Sequence, residues 1–226
     1  LSLHDALPIF PSAYTANQST ISILCKNIEE IEIFSDELNH ASLIEGIRNS
    51  KAKYHIFKHN NVVDLEKKLK TIDIDKPKLI VCESIYSMEG IRSPLKDILK
   101  LAKKYNALTY LDEVHSVGLY GPSGSGIAAE LGISDDIDII NGTLSKSFGQ
   151  MGGYIAANED LIDYIRSFAP GFIFTSSINP SVAAASIKSI EISKVAETLR
   201  LKIRKNSSII RDGLRSINVP DRKSVV

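Results

Sequence analysis

The feature that most constrains this chain is a recurrence of short apolar, β-forming runs, each followed by a polar turn and then a segment of helical periodicity. The runs are Ile31, Ile33 and Phe34; His55 to Phe57; Leu79 to Val81; Leu108, Tyr110 and Leu111; and Ile137, Ile139 and Ile140. Between them, Ala41 to Arg48 and Val63 to Lys70 read as helices. A third helix follows Ser93-Pro94, with Ser93 as the N-cap and Pro94 at the first helical position. Its Leu95, Ile98, Leu99 and Ala102 keep the helical period. Strand and helix alternating at this spacing predict an α/β fold whose mostly parallel sheet carries helices on both faces. At the ends of this pattern, Ser12 to Leu24 reads as a turn and helix capped by Asn17 or Ser19. Gly153 to Ala156 is a further strand that could pair antiparallel, and Asp160 to Phe168 is a helix. Pro180 to about Arg215 reads as one long helix.

Chemistry-bearing residues fall just past the predicted strands. The fourth run ends in Asp112, with His115 shortly after it, and the fifth leads into Gly142-Thr143-Leu144-Ser145-Lys146. Carboxyl-terminal strand edges are where open α/β sheets build ligand sites. Lys146 has small neighbours and no acid beside it in sequence, and a desolvated lysine titrates low enough to act as a nucleophilic amine. An acid, a histidine and a later lysine in this arrangement suit an enzyme that holds pyridoxal 5'-phosphate (PLP). The lysine would carry the cofactor and the acid would pair with its protonated ring nitrogen.

The stretches DELNHAS, ESIYSMEG, LDEVHSVGLYGPSGSG, GTLSKSFGQMGGYIA and IRSFAPGFIFTSS resemble the α-oxoamine synthases, which are fold-type I PLP enzymes. The resemblance runs in order from about Pro11 to Arg215. It implies that Lys146 holds PLP and later moves protons at the substrate, that Asp112 faces the ring nitrogen, and that His40 stacks on the ring. His115 and Ser87 would contact the cofactor, and Ala13, Tyr14 and Thr143 its phosphate. Thr175 and Ser176 would reach the phosphate of the partner in a homodimer with shared active sites. Ser35 would contact a thioester substrate, whereas the basic residue expected near Tyr54 is a tyrosine here, with Lys51 and Lys53 close by. No metal is implied. The members it most resembles condense glycine with succinyl-CoA, releasing CoA and CO2, to give 5-aminolevulinate for haem synthesis. The alternatives are a 2-amino-3-ketobutyrate CoA ligase, an 8-amino-7-oxononanoate synthase, or a non-catalytic partner subunit or inactive fragment, although such subunits lose the lysine that Lys146 retains.

Composition narrows the setting. Lys and Arg number 27 against 27 Asp and Glu, and this balance, without a basic run, argues against a nucleic-acid surface or a polybasic anchor. No apolar stretch approaches the ~18 residues that span a bilayer. Cys25 and Cys82 lack a CxxC pattern and read as reduced, buried thiols in a cytoplasmic setting. With no transit-peptide pattern visible, a bacterial chain is expected. Gly121 to Gly126 lacks the ending of a phosphate loop and reads as a flexible turn near the site entrance. Gly152-Gly153 would let a strand approach the lysine loop. LSLHDALPIF and DRKSVV resemble translated sequencing-adapter read-through, and the chain is expected to be a fragment. The expected organisation is therefore set-apart ends at 1–10 and 221–226, a partial PLP-binding large domain at 11–179, and at 180–220 a long linking helix opening a C-terminal domain.

Overall fold

The computed structural model describes residues 7–219, so the expectations for residues 1–6 and 221–226 lie outside the described residues. In chain order the elements begin with β1 (Ile9–Phe10), α1 (Ala13–Asn27), β2 (Glu32–Asp36), α2 (Ala41–Ser50), β3 (Lys53–Phe57) and α3 (Val62–Leu69). They continue with β4 (Lys78–Glu83), α4 (Leu95–Lys104), β5 (Ala107–Asp112), α5 (Ile127–Glu130), β6 (Ile139–Thr143) and β7 (Gly153–Ala156). The last four are α6 (Glu159–Phe168), α7 (Pro170–Ile173), α8 (Pro180–Lys194) and α9 (Glu197–Ser216).

One seven-stranded sheet, ordered β1-β7-β6-β5-β4-β2-β3, runs through the molecule. Strands β3, β2, β4, β5 and β6 are parallel, and β7 pairs antiparallel with both β6 and β1. The α/β expectation therefore holds, including the reversed strand at Gly153. Ile9 and Phe10, within the end expected to stand apart, form the edge strand on β7, and Phe10 is fully buried.

Strand alternation divides the core between the two faces of the sheet. Ile33, Leu79, Val81, Tyr110, Ile139 and Ile155 pack with Ala16, Ile21 and Leu24 of α1, Leu43 and Ile47 of α2, and Ile162 and Ile165 of α6. Their neighbours Phe34, Ile80, Cys82, Leu111 and Ile140 pack on the other face with Leu65 and Leu69 of α3 and with Leu95, Ile98 and Leu99 of α4. Both cysteines are free and buried, and burial pushes the Cys25 thiol up to about 12 and the Cys82 thiol higher than its ordinary value.

Three local expectations need correction. The cap of α1 is Ser12, whose hydroxyl accepts from the Thr15 amide, while Asn17 and Ser19 are buried inside the helix. Helix α4 starts at Leu95 with no side-chain cap, because the Ser93 hydroxyl is spent on the Glu83 carbonyl and the Asn60 side chain. The long C-terminal helix is two helices, α8 and α9, broken at Val195 and Ala196. Arg200, almost fully buried, folds back there to donate to the Ser193 carbonyl, satisfying the end of α8 instead of letting the helix continue.

Candidate active site

The parallel strands end together, and the polar residues that terminate them share one face. Glu83 of β4, Asp112 of β5 and Asn141 of β6 are consecutive register partners across the sheet. By strand parity they point to the side covered by α1 and α2. The β2–α2 loop adds His40, the loops after β5 and β6 add His115 and Lys146, and the start of α1 adds Ser12, Ala13 and Tyr14. Together these residues line a cleft of about 190 Å³ at the carboxyl edge of the sheet. Strand succession reverses direction between β2 and β4, and such a switch point is where open α/β sheets bind ligands.

Asp112 is the most enclosed of these groups. Its Oδ2 accepts from Asn17 Nδ2 at 2.6 Å and from Asn141 Nδ2 at 3.1 Å, and its Oδ1 accepts from the Val114 amide at 2.8 Å. Burial raises the Asp112 carboxyl above its ordinary range in spite of these donors. A cation brought against it would reverse that direction. Asn17 Oδ1 in turn accepts from the Tyr110 hydroxyl at 2.7 Å, and Asn17 Nδ2 also donates to Ser42 Oγ at 2.9 Å. Ser42 Oγ lies 2.8 Å from His40 Nδ1, and the Glu83 carboxylate accepts from the His40 backbone amide at 2.6 Å. Burial, followed by the Asp112 charge, pushes the Glu83 carboxyl up to about 8. A chain of hydrogen bonds thus runs from Asp112 through Asn17, Ser42 and His40 to Glu83, the strand neighbour of Asp112.

His115 forms another wall. Burial, with Lys146 and His40 nearby, lowers its imidazole to about 4, so it is neutral near pH 7. Thr143 Oγ1 lies 2.8 Å from Ser145 Oγ and accepts from the Ser145 amide. These hydroxyls face the cleft together with the amino-terminal end of α1, where the helix dipole and amides favour an anion. The cleft therefore offers a place for negative charge at one end and a buried carboxylate able to meet positive charge at the other.

Seven of the sequence-predicted residues meet in this cleft: Ala13, Tyr14, His40, Asp112, His115, Thr143 and Lys146. Lys146 differs from expectation in being exposed instead of desolvated, because none of the described segments packs over it at the mouth of the cleft. Ser87 is exposed on the turn after β4, and Thr175 and Ser176 are exposed after α7, so none of the three lines the cleft. Ser35 is buried within β2, its hydroxyl engaged with the Asp36 carbonyl and Asn39 Nδ2. Tyr54 is half-exposed on β3. Gly152 approaches the lysine loop as expected, its carbonyl accepting from the Leu144 amide at 2.9 Å, whereas Gly153 makes room for α1, since a Cβ there would overlap the backbone of Ala13. The turn at Gly121–Gly126 is pinned, not loose. The Glu113 carboxylate accepts from the amides of Ile127 and Ala128 at 3.0 and 2.7 Å, and a Cβ at Gly126 would strike it.

Sequence reading missed Asn17, Ser42 and Glu83 and attached no function to Asn141. Strand parity was the available signal for Glu83 and Asn141. No local pattern marks Asn17, whose partner Asp112 is 95 residues away.

The family model for class I and II aminotransferases matches residues 3–224. The 5-aminolevulinate synthase of Rickettsia typhi is 50% identical over 216 residues, covering 96% of this chain and 52% of the relative. That of Paracoccus denitrificans is 51% identical over 218 residues, covering 96% and 53%. Among solved structures, the serine palmitoyltransferase of S. paucimobilis with a bound PLP–myriocin aldimine superposes with a TM-score of 0.90 at 33% identity, covering 95% of this chain and 54% of that one. The 8-amino-7-oxononanoate synthase of Francisella tularensis superposes with a TM-score of 0.80 at 25% identity, covering 95% and 61%. The chain thus spans about half the length of the curated relatives it matches.

Proposed function

The chain belongs to the class I and II aminotransferase family, and on that premise we propose that it supplies the cofactor-binding half of a PLP-dependent acyltransferase of the 5-aminolevulinate synthase type. The observation that carries the reading is the pairing of a three-donor, fully enclosed Asp112 with Lys146 in one cleft, whose other end is the amino terminus of α1. PLP fits that donor set. Its ring nitrogen brings the cation that a buried carboxylate lacks, and its phosphate brings the anion that a helix terminus and the Thr143 and Ser145 hydroxyls favour. When bound, PLP supplies an electron sink for a carbanion at the substrate's α-carbon.

The chain's own residues then take distinct parts. Asp112 holds the ring-nitrogen proton, and Asn17, Asn141 and the Val114 amide hold Asp112. His40, oriented by Ser42 and Glu83, would stack on the ring. His115, neutral at pH 7, is able to hydrogen-bond the cofactor's phenolic oxygen. Lys146 would hold the cofactor through its amine and is the group that would move a proton at the substrate's α-carbon; its exposure at the cleft mouth leaves it within reach of an entering amino acid. For the whole protein, the proposed reaction joins glycine to succinyl-CoA with loss of CoA and CO2, giving 5-aminolevulinate. Support comes from relatives at about half identity that share this one activity name. Thr175 and Ser176, exposed in the single chain, fit contacts completed across a homodimer. Ser87 is proposed as a cofactor contact of the same chain, and a substrate contact for Ser35 would require its buried hydroxyl to leave the Asp36 carbonyl and Asn39. Among the described residues no helix is long and apolar enough to cross a membrane, and a cytoplasmic bacterial setting is proposed from the bacterial relatives.

The test is to incubate the purified chain with PLP, reduce with borohydride and locate the adduct by peptide mass spectrometry. An adduct on Lys146, lost in Lys146→Ala, is the expected result. No adduct on a folded chain, or one spread over other lysines, overturns the reading. Glycine followed by succinyl-CoA, given to the PLP-loaded full-length protein, tests the substrates separately.

A further inference from the structure

Beyond accepting the His40 amide, Glu83 takes no part in the chemistry proposed above, yet it occupies a demanding position. It is 3% exposed, lines the same cleft, and is the register partner of Asp112 on the adjacent strand. Resting on the function proposed above, we propose that Glu83 is a positioning residue that stays protonated, anchoring His40 and leaving Asp112 as the single ionised carboxylate of the pair.

Two facts of geometry carry this. Glu83 Oε1 accepts the His40 backbone amide at 2.6 Å at the residue that caps α2, so the direction in which the His40 ring leaves the backbone depends on that contact. A carboxylic acid's carbonyl oxygen accepts this bond as a carboxylate does. The second fact is charge. Asp112 faces Glu83 from β5, Asp36 from the end of β2 and Glu89 from the turn after β4, while Tyr86 offers only a neutral phenol. His40 approaches from the α2 side, and His115 and Lys146 lie on the shared cleft wall. Three surrounding carboxylates and burial oppose a charge on Glu83. Two buried, adjacent carboxylates do not both ionise, and Asp112, with three donors, keeps the charge when a cation faces it. Burial and the Asp112 charge push Glu83 up to about 8, in the same sense.

The two members of the pair are also joined the long way round, through Asn17, Ser42 and His40. Ionising Glu83 would place a second negative charge beside Asp112 and pull on the residue that stacks on the ring. The protonated state keeps acid and stacking residue in register.

The experiment follows Glu83 directly. Glutamate labelled with 13C at the side-chain carboxyl is incorporated into the chain, and Glu83→Gln identifies the resonance by its loss. Without PLP, Glu83 is expected to titrate near about 8, far above the ordinary glutamate value of about 4.3. Asp112→Asn, which removes the neighbouring charge, is expected to move that midpoint down. A midpoint in the ordinary range, or one unmoved by Asp112→Asn, overturns the proposal.

A second arm reads position. Glu83→Ala is expected to weaken PLP binding about tenfold, the cost of a buried amide left without its acceptor. Glu83→Gln keeps an acceptor for the His40 amide and is expected to recover most of that affinity while removing the step near about 8 from the pH titration of the bound cofactor's absorbance. Equal losses in both variants, with circular dichroism showing both folded, overturn the positioning role. If the wild-type chain binds no PLP, the functional reading fails on its own and the carboxyl titration still decides the protonation of Glu83.

Discussion

Asn17→Ala is the substitution that most severely tests how this site is held. Asn17 is 1% exposed and makes three hydrogen bonds to groups far away in sequence. Its Nδ2 donates to Asp112 at 2.6 Å and to Ser42 at 2.9 Å, and its Oδ1 accepts from Tyr110 at 2.7 Å. Losing a donor to a buried carboxyl group costs about 1.5–3 kcal/mol when that group is charged, and leaving the Tyr110 hydroxyl buried without an acceptor costs about 1–3 kcal/mol more. The sum, about 2.5–6 kcal/mol, is a large share of the roughly 5–15 kcal/mol that holds a folded domain. Urea denaturation, with the midpoint compared at constant slope, reads it.

The sign of the pH dependence follows from Asp112. Burial already holds its carboxyl above the ordinary range, and Asn17 is the first of the groups that oppose this. Removing Asn17 raises the carboxyl further, so the folded variant retains a proton over a wider range than the unfolded chain does. Its stability then falls more steeply than wild type as pH rises. Tyr110→Phe sharpens the test. On the Asn17→Ala background it removes the stranded hydroxyl, so the double variant is expected to recover about 1–2 kcal/mol relative to simple addition. A loss below about 1 kcal/mol for Asn17→Ala, or strict additivity in the cycle, refutes the account.

Two further outcomes are expected. Gly153→Ala forces a Cβ into the backbone of Ala13, so it is expected to cost about 1–3 kcal/mol by overpacking and to weaken phosphate-dependent PLP binding by shifting the start of α1; a wild-type urea midpoint would contradict this. His115 has its pKa lowered from 6.5 to about 4 in the fold, so the stability it contributes is present above about 6.5 and is lost as pH falls toward about 4. His115→Asn is expected to flatten melting temperature against pH in that window, and an unchanged acid limb would contradict the half-buried neutral imidazole.

Much of the architecture is written in local pattern, and the failures have one kind of cause. The runs at Ile33, Leu79, Tyr110 and Ile139 alternate apolar residues toward two covered faces, and that alternation alone identifies the strands. Caps and breaks were misread wherever a side chain was claimed by a distant group. Ser93 gives its hydroxyl to the Glu83 carbonyl, Asn17 is drawn to Asp112, and Arg200 reaches back to the end of α8. Propensity weighs a residue against its neighbours in sequence, whereas a buried polar group settles on whichever partner satisfies it.

The site divides along the same line. Asp112, His115 and Lys146 were legible because each follows a predicted strand. The exposure of Lys146 was not, since closure of a cleft depends on segments packed over it and not on flanking serines and glycines. Parity takes the reading one step further than motif did. Val81 and Tyr110 face α1, so Glu83 and Asp112, each two residues on, must face it as well. Two acids delivered side by side beneath one helix make a polar residue on that helix necessary, and Asn17 is where α1 supplies it. The same parity sets Asn141, two residues past Ile139, on that face, where it gives Asp112 its second amide donor. The row Glu83, Asp112, Asn141 is therefore a consequence of strand register, and the chemistry proposed for Asp112 depends on both of its neighbours.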